Sequence, residues 1–89
     1  MPQREVPIVN RLGMHARAAA KFVSLASQYA SDVTVSRNAQ EVNGKSIMGV
    51  MMLAAAQGCE VTITTDGEDA EEALDALTEL VANRFGEDA

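Results

Sequence analysis

Two hydrophobic periodicities alternate along this 89-residue chain, and their order leaves few possible architectures. Apolar residues at every second position are typical of half-buried strands, and they predict strands at residues 5–10, 32–36, 41–42 and 60–65. Apolar residues three and four positions apart predict helices that begin at Ala16, after Ser46 and after Asp69. The predicted order is therefore strand, helix, strand, strand, helix, strand, helix.

Short connections and one-sided alternation favour an antiparallel arrangement of the strands. We therefore predict an α+β fold, a two-layer open-faced β-sandwich in which three helices cover one face of a four-stranded antiparallel sheet. A polar turn at residues 37–40 should join the second and third strands, and Gly58 is a natural stop for the second helical region. Asp69 followed by Glu72 predicts a capping box at the last helix. We expect residues 1–89 to form one domain.

The net charge of −6 argues against a nucleic-acid partner, because binding to a phosphate backbone needs a basic surface. The charge is unevenly distributed: residues 1–59 hold six basic and three acidic residues, whereas residues 60–89 hold one and ten. A partner of the first two-thirds of the chain is therefore expected to be acidic.

The chain shows no sign of secretion or membrane insertion. Its N-terminus lacks the apolar run of a signal peptide, and its longest apolar run, Ile47 to Ala56, is about half of what a bilayer requires. The single cysteine, Cys59, cannot form an internal disulfide and is expected to be a small buried hydrophobe. We expect a cytoplasmic protein, and with one histidine and one cysteine we predict neither a metal site nor a cofactor.

His15 is the only histidine, and it falls at the N-terminus of the first predicted helix. The positive end of the helix dipole, together with Arg17, favours an unprotonated and nucleophilic ring. A phosphoryl group on that ring would accept hydrogen bonds from the free N–H groups at Ala16 and Arg17 and from the Arg17 guanidinium. Arg11 and Lys21 are near enough in sequence to add to the positive electrostatic field. No triad is placed by sequence, so transfer of a phosphoryl group without hydrolysis is the simplest prediction.

The second predicted helix is apolar on every side, since residues 47–56 contain neither a charge nor a hydroxyl. A small two-layer domain cannot bury such a helix completely. We expect part of it to stay exposed as a docking surface for a protein partner. The residues concerned are Ile47, Met48, Met51 and Met52. The alternative is that these methionines only fill an irregular core.

Two segments resemble the HPr family of phosphocarrier proteins of the bacterial phosphoenolpyruvate-dependent phosphotransferase system. Gly13-Met14-His15-Ala16-Arg17 resembles the phosphohistidine motif of the family, and residues 45–51 resemble its second motif, around a regulatory serine. The likeness runs in register along essentially the whole chain. Two positions depart from the pattern: Leu12 replaces a small polar residue of several relatives, and Ala18 replaces a proline of many.

The resemblance implies a carrier rather than an enzyme, monomeric and belonging to either the sugar or the nitrogen-related branch. It implies that His15 takes a phosphoryl group from phospho-enzyme I at Nδ1 and passes it to an enzyme IIA, while Arg17 steadies the phosphate. It also implies that Ser46 is a substrate of HPr kinase/phosphorylase in family members that have this regulation. A simple N-cap role for Ser46 is the alternative.

Two other classes of function stay open at the level of the sequence. A small acyl-phosphate hydrolase would also bind phosphate with arginine and loop amides, but no second glycine-rich phosphate loop is present. A pure interaction module would use the methionine-rich helix to bind a partner, and His15 would then be incidental.

Overall fold

The computed structural model describes residues 1–88, and its elements follow the predicted βαββαβα order. The elements are β1 (Gln3–Pro7), α1 (Ala16–Ala26), β2 (Asp32–Arg37), β3 (Gln40–Asn43), α2 (Ile47–Met52), β4 (Glu60–Asp66) and α3 (Ala70–Ala82). A 3₁₀ turn, Arg84–Gly86, follows α3 and was not predicted.

The four strands form one antiparallel sheet in the order β1-β4-β2-β3, as predicted. The central strand β4 pairs Val61 with Val6 of β1 and Ile63 with Val35 of β2, and these valines and isoleucine are buried. The helices cover this apolar face, and Phe22 of α1 and Leu77 of α3 are completely buried against it. The predicted two-layer open-faced sandwich is confirmed.

The turn predicted between β2 and β3 is confirmed at Asn38 and Ala39. Both residues have positive φ, 52° and 68°. Two successive left-handed residues match the twist of a tight hairpin. Asn tolerates this conformation better than Ala does, so the turn is held in part by the strand pairs on either side of it.

Two element boundaries differ from the predictions. The second helix ends at Met52, well before Gly58, because the chain turns at Ala54 with φ of 50°. The next residue, Ala55, is buried and its carbonyl accepts a hydrogen bond from the Met14 amide at 2.8 Å, which a continuing helix would forbid. The first strand lies at residues 3–7 rather than 5–10, although Ile8 still donates to the Cys59 carbonyl at 2.8 Å.

The predicted capping box at α3 is wrong. Asp69 occupies the N-cap position but makes no side-chain hydrogen bond to its own helix. Its carboxylate instead accepts from the amides of Ala30 and Ser31, both at 2.9 Å, and from the Ser31 hydroxyl. The Ser31 hydroxyl, followed by the Ala30 amide, lowers the pKa of Asp69. Asp69 therefore ties the loop that follows α1 to the start of α3.

Within residues 1–88, no helix is long and apolar enough to cross a membrane.

Cys59 is only half-buried, contrary to the prediction of a buried hydrophobe. Its sulfur accepts a hydrogen bond from Arg37 Nη2 at 3.2 Å, and Arg37 Nη1 donates to the Leu53 carbonyl at 2.9 Å. The cysteine thus keeps one polar contact at the end of the sheet.

Candidate functional site

The loop before α1 is held in a conformation that only glycine accommodates well. Gly13 has φ of 66°, and a Cβ atom at this position would lie 2.6 Å from the Ala55 carbonyl oxygen and 2.9 Å from Ala56 Cα. The Asn10 side chain lies beneath the loop, is completely buried, and donates from Nδ2 to the Gly13 carbonyl at 2.8 Å. These contacts fix where the next turn begins and therefore where His15 lies.

His15 is the N-cap residue of α1, as predicted. Its backbone is extended (φ −76°, ψ 177°), its carbonyl accepts from the Ala19 amide at 2.8 Å, and its side chain makes no capping hydrogen bond. The N–H groups of the first helical turn, from Ala16 to Ala18, have no carbonyl partner inside the helix and receive none from the cap side chain. An N-terminus left open in this way is suited to binding an anion.

The four predicted polar residues of the first helical region meet at one pocket. Arg11, Arg17 and Lys21 line it together with His15, and Leu12 contributes an exposed apolar side chain. The His15 side chain is 27% exposed, so the ring is accessible from the pocket.

The excess of basic residues in the first two-thirds of the chain suggested a basic surface, but the pocket also contains acidic side chains. The C-terminal segment Gly86, Glu87 and Asp88 folds back and lines the same pocket. Glu87 Oε2 pairs with His15 Nε2, and Glu87 Oε1 accepts from Asn10 Nδ2 at 3.0 Å. An acidic side chain thus contacts one ring nitrogen directly.

The C-terminal segment is anchored by an aromatic side chain. Phe85 is completely buried in the core, and Lys21 Nζ donates to its carbonyl at 2.7 Å. Three successive residues, Arg84, Phe85 and Gly86, have positive φ of 57°, 54° and 80°, which reverses the chain directly after α3. This reversal aims Glu87 at the N-terminus of α1.

Sequence reasoning missed Asn10 and the C-terminal segment of residues 86–88, of which Glu87 contacts the ring. The Asn10 hydrogen bond, then the His15 contact, and then the charges of His15 and Lys21 lower the pKa of Glu87, so it is a carboxylate at neutral pH. The one signal in the sequence was Phe85-Gly86 just past the end of the last helical pattern, which is typical of a buried anchor followed by a turn.

The second predicted motif lies at the start of α2. Ser46 is the N-cap residue, and its Oγ accepts from the Gly49 amide at 3.1 Å. The helix that follows has one buried residue, Val50, and four exposed apolar side chains. These are Ile47 (43% exposed), Met48 (75%), Met51 (41%) and Met52 (66%). The expected exposure of these side chains is confirmed, and their role in binding stays a prediction.

The pocket offers donors for a small anion rather than ligands for a cation. Among the described residues, no group of three or more His, Cys, Asp and Glu side chains could hold a metal ion. The open first turn of α1 and the three basic side chains around His15 are the groups that a phosphate would use.

Comparisons with known proteins agree with this geometry. Residues 2–83 match a family model described as the PTS HPr component phosphorylation site. The chain is 59% identical over 87 residues to the phosphocarrier protein HPr of Cupriavidus necator, with 98% of each chain covered. It is 39% identical over 85 residues to the phosphocarrier protein NPr of Shewanella violacea, which covers 96% of this chain and 93% of that one. A crystal structure of HPr from Thermoanaerobacter tengcongensis matches over the whole of both chains with a TM-score of 0.96 at 43% identity.

Proposed function

The chain belongs to the HPr family of phosphocarrier proteins of the phosphotransferase system, and on that premise we propose that it carries the phosphoryl group on Nδ1 of His15. One observation supports this assignment above the others. Within residues 1–88, Nδ1 of His15 has no hydrogen-bond partner and is not buried, whereas Nε2 is already paired with Glu87. Nδ1 is therefore the ring nitrogen that an incoming phosphorus atom can reach.

The start of α1 would bind the transferred group. A phosphoryl group on the ring carries close to two negative charges, and the open N–H groups of the first turn, at Ala16 and Arg17, are oriented to donate to it. The Arg17 guanidinium adds a fork of donors, and Arg11 and Lys21 add positive charge at the pocket. These donors would stabilise the phosphorylated ring.

We assign the protein the role of a cytoplasmic carrier rather than an enzyme, since the phosphoryl group would form a bond to its own side chain and leave to the next protein. The donor is phospho-enzyme I and the acceptor is a histidine of an enzyme IIA. Both would dock over the exposed apolar side chains of α2 and Leu12, with Arg11 and Lys21 attracting acidic groups.

Ser46 is the proposed regulatory site in a cell that has an HPr kinase/phosphorylase. Its hydroxyl lies beside the exposed Ile47 and Met48, so a phosphate there would place about two negative charges next to the docking surface. Such a charge would repel an acidic partner while remaining compatible with the helix N-terminus.

The experiment that tests the carrier role measures intact mass after incubation with phosphoenolpyruvate and enzyme I. Wild-type protein should gain one phosphoryl group that mild acid removes, because a phosphorus–nitrogen bond is acid-labile. His15→Ala should gain none.

The matched control is Ser46→Ala, which should still take up the acid-labile group, because the acceptor is a ring nitrogen and not the hydroxyl. Steady release of inorganic phosphate from acetyl phosphate would instead favour a hydrolase. An absence of any mass change, with enzyme I shown to be active and partner binding intact, would favour a pure interaction module.

A further inference from the structure

Glu87 is the one acidic side chain that contacts the His15 ring among the described residues. It is held from two sides: its Oε1 accepts from Asn10 Nδ2, and its backbone follows the buried Phe85. Only 15% of its side chain is exposed. Its position depends on the reversal of the chain at residues 84–86, directly after α3.

We propose that Glu87 is a positioning residue for phosphoryl transfer, which holds the proton of His15 on Nε2 and leaves the Nδ1 lone pair free to attack. This inference rests on the proposed carrier function. A neutral imidazole has one N–H and one lone pair, and the nitrogen that carries the proton is set by the hydrogen bond that it makes. A carboxylate beside Nε2 accepts from an N–H and repels a lone pair, so it selects the form in which Nδ1 is the nucleophile.

The same carboxylate compensates the charge that develops during transfer. As the Nδ1–phosphorus bond forms, the donor's bond to phosphorus breaks and its electron pair stays with the leaving nitrogen, which takes a proton from water. The His15 ring keeps its proton on Nε2 and becomes a cation. A carboxylate paired with a histidine favours such a cation, as in a catalytic triad, where it also fixes the tautomer.

Positive charges around the pocket offset the repulsion between its carboxylates and an anionic phosphoryl donor. Glu87 and Asp88 are negative, but Arg11, Arg17 and Lys21 line the same pocket and outnumber them. Glu87 also contacts the ring at Nε2, whereas the phosphoryl group would arrive at Nδ1. Asn10 completes the network, because its amide group joins the Gly13 carbonyl to the Glu87 carboxylate.

The experiment combines NMR of the ring with transfer from a small donor. His15 is the only histidine, so the long-range ¹H–¹⁵N spectrum of histidine-labelled protein reports on this ring alone. At a pH at which the ring is neutral, wild type should carry the proton on Nε2, with exchange of that proton slowed by the hydrogen bond. Glu87→Ala should lose the slow exchange and shift toward the tautomer mixture of a free imidazole.

Transfer from phosphoramidate, which needs no docking surface, should be slower in Glu87→Ala by about tenfold or more, since partners that orient a metal-bound histidine are worth about 10- to 100-fold. Glu87→Gln keeps an acceptor oxygen without the charge and should fall between wild type and Glu87→Ala. Glu79→Ala is the matched control, because it removes the same charge from an exposed position on α3, outside the pocket. It should keep the wild-type ring spectrum and transfer no more slowly than wild type.

The inference would be overturned by a wild-type ring with its proton on Nδ1, by a Glu87→Ala protein with the wild-type spectrum and rate, or by equal slowing in Glu79→Ala. Faster transfer in Glu87→Ala would likewise overturn it and show that the C-terminal segment obstructs the site. None of these results touches phosphoryl uptake at His15, which is refuted instead if wild type gains no mass with active enzyme I or if His15→Ala still takes up an acid-labile phosphoryl group.

Discussion

The N-termini of α1 and α2 differ in whether a side chain pairs with the free N–H groups of the first helical turn. Each first turn has N–H groups that no carbonyl of the helix can satisfy. At α2 the cap side chain meets this need, because Ser46 Oγ accepts from the Gly49 amide at 3.1 Å. At α1 the cap residue His15 turns its side chain away, toward Glu87, and makes no capping hydrogen bond.

The difference shows how each helix obtains its stability. The helix α1 has eleven residues and four buried side chains, so packing against the core can hold it without a cap. The helix α2 has six residues and buries only Val50, so its N-cap is a larger share of what holds it. A long, well-packed helix can leave its N-terminus open for a ligand, whereas a short exposed one cannot.

The largest expected effect comes from the loop that leads into α1. Gly13→Ala should lower the free energy of unfolding by about 2 to 4 kcal/mol, because it combines a left-handed backbone with a collision against packed backbone. The added Cβ would lie 2.6 Å from the Ala55 carbonyl oxygen. Urea unfolding of wild type and variant measures the difference.

The matched variant at the other helix is Gly49→Ala. Gly49 lies inside α2, and its added Cβ would meet the Ser46 side chain at 3.3 Å, a tight but adjustable contact. Replacing a helical glycine gains up to about 1 kcal/mol of helix propensity, which this contact offsets in part, so the net change should be small. A Gly49→Ala loss as large as that of Gly13→Ala would contradict the contrast between the two helix starts.

The second prediction concerns the open first turn of α1. Arg17→Ala should slow phosphoryl uptake at His15 by about tenfold, because it removes a charged donor from the transferred group at a partly exposed site. Intact mass against time, with enzyme I as donor, measures the rate.

Arg17→Lys separates charge from geometry at this position. It keeps the positive charge but lacks the planar fork, so it should recover only part of the rate. A wild-type rate in Arg17→Ala would show that the helix N–H groups suffice without the guanidinium.

The third prediction compares the two caps directly by thermal or urea unfolding. Ser46→Ala should lower the free energy of unfolding by about 1 kcal/mol, because the cap hydrogen bond is lost. Ser46→Asp should keep most of the stability, since Asp is also a good N-cap. His15→Ala should cost less stability than Ser46→Ala, because the His15 side chain makes no capping bond. A larger loss in His15→Ala would mean that its contact with Glu87 contributes more to stability than the Ser46 cap does.

Much of the fold and half of the site could be predicted from the sequence because the signals are local. The switch from loop to helical spacing at Ala16 placed His15 at the helix N-terminus, and alternation placed β2 and β4 within about a residue. Arg17 and Lys21 follow His15 on the same helix, so their approach to it depends on short-range geometry alone.

The features that were missed depend on backbone conformations and long-range contacts that correspond to no hydrophobic periodicity in the sequence. The end of α2 depends on a left-handed alanine, Ala54, where no glycine marks the turn. The contact of Glu87 with His15 joins residues 72 positions apart and follows three left-handed residues after α3. Asp69 had a capping pattern but bonds the loop at Ser31 instead, because tertiary partners outcompeted its own helix.

The smallest expected effect is a pH dependence that should appear at α1 and not at α2. The pKa of Glu87 is lowered from its ordinary value of 4.5, chiefly by the Asn10 hydrogen bond and then by His15. A carboxylate whose pKa is lower in the folded than in the unfolded state stabilises the fold above the unfolded value, and this contribution is lost as pH falls through the folded value. The difference in melting temperature between wild type and Glu87→Gln should therefore be present above the ordinary value and should close as pH falls below it. The deficit of Ser46→Ala should persist across the same range, because a hydroxyl does not titrate there. If the Glu87→Gln deficit also persisted in acid, it would come from the geometry of the hydrogen bonds with Asn10 and His15 rather than from the carboxylate charge, and the two helix starts would differ less than their hydrogen bonds indicate.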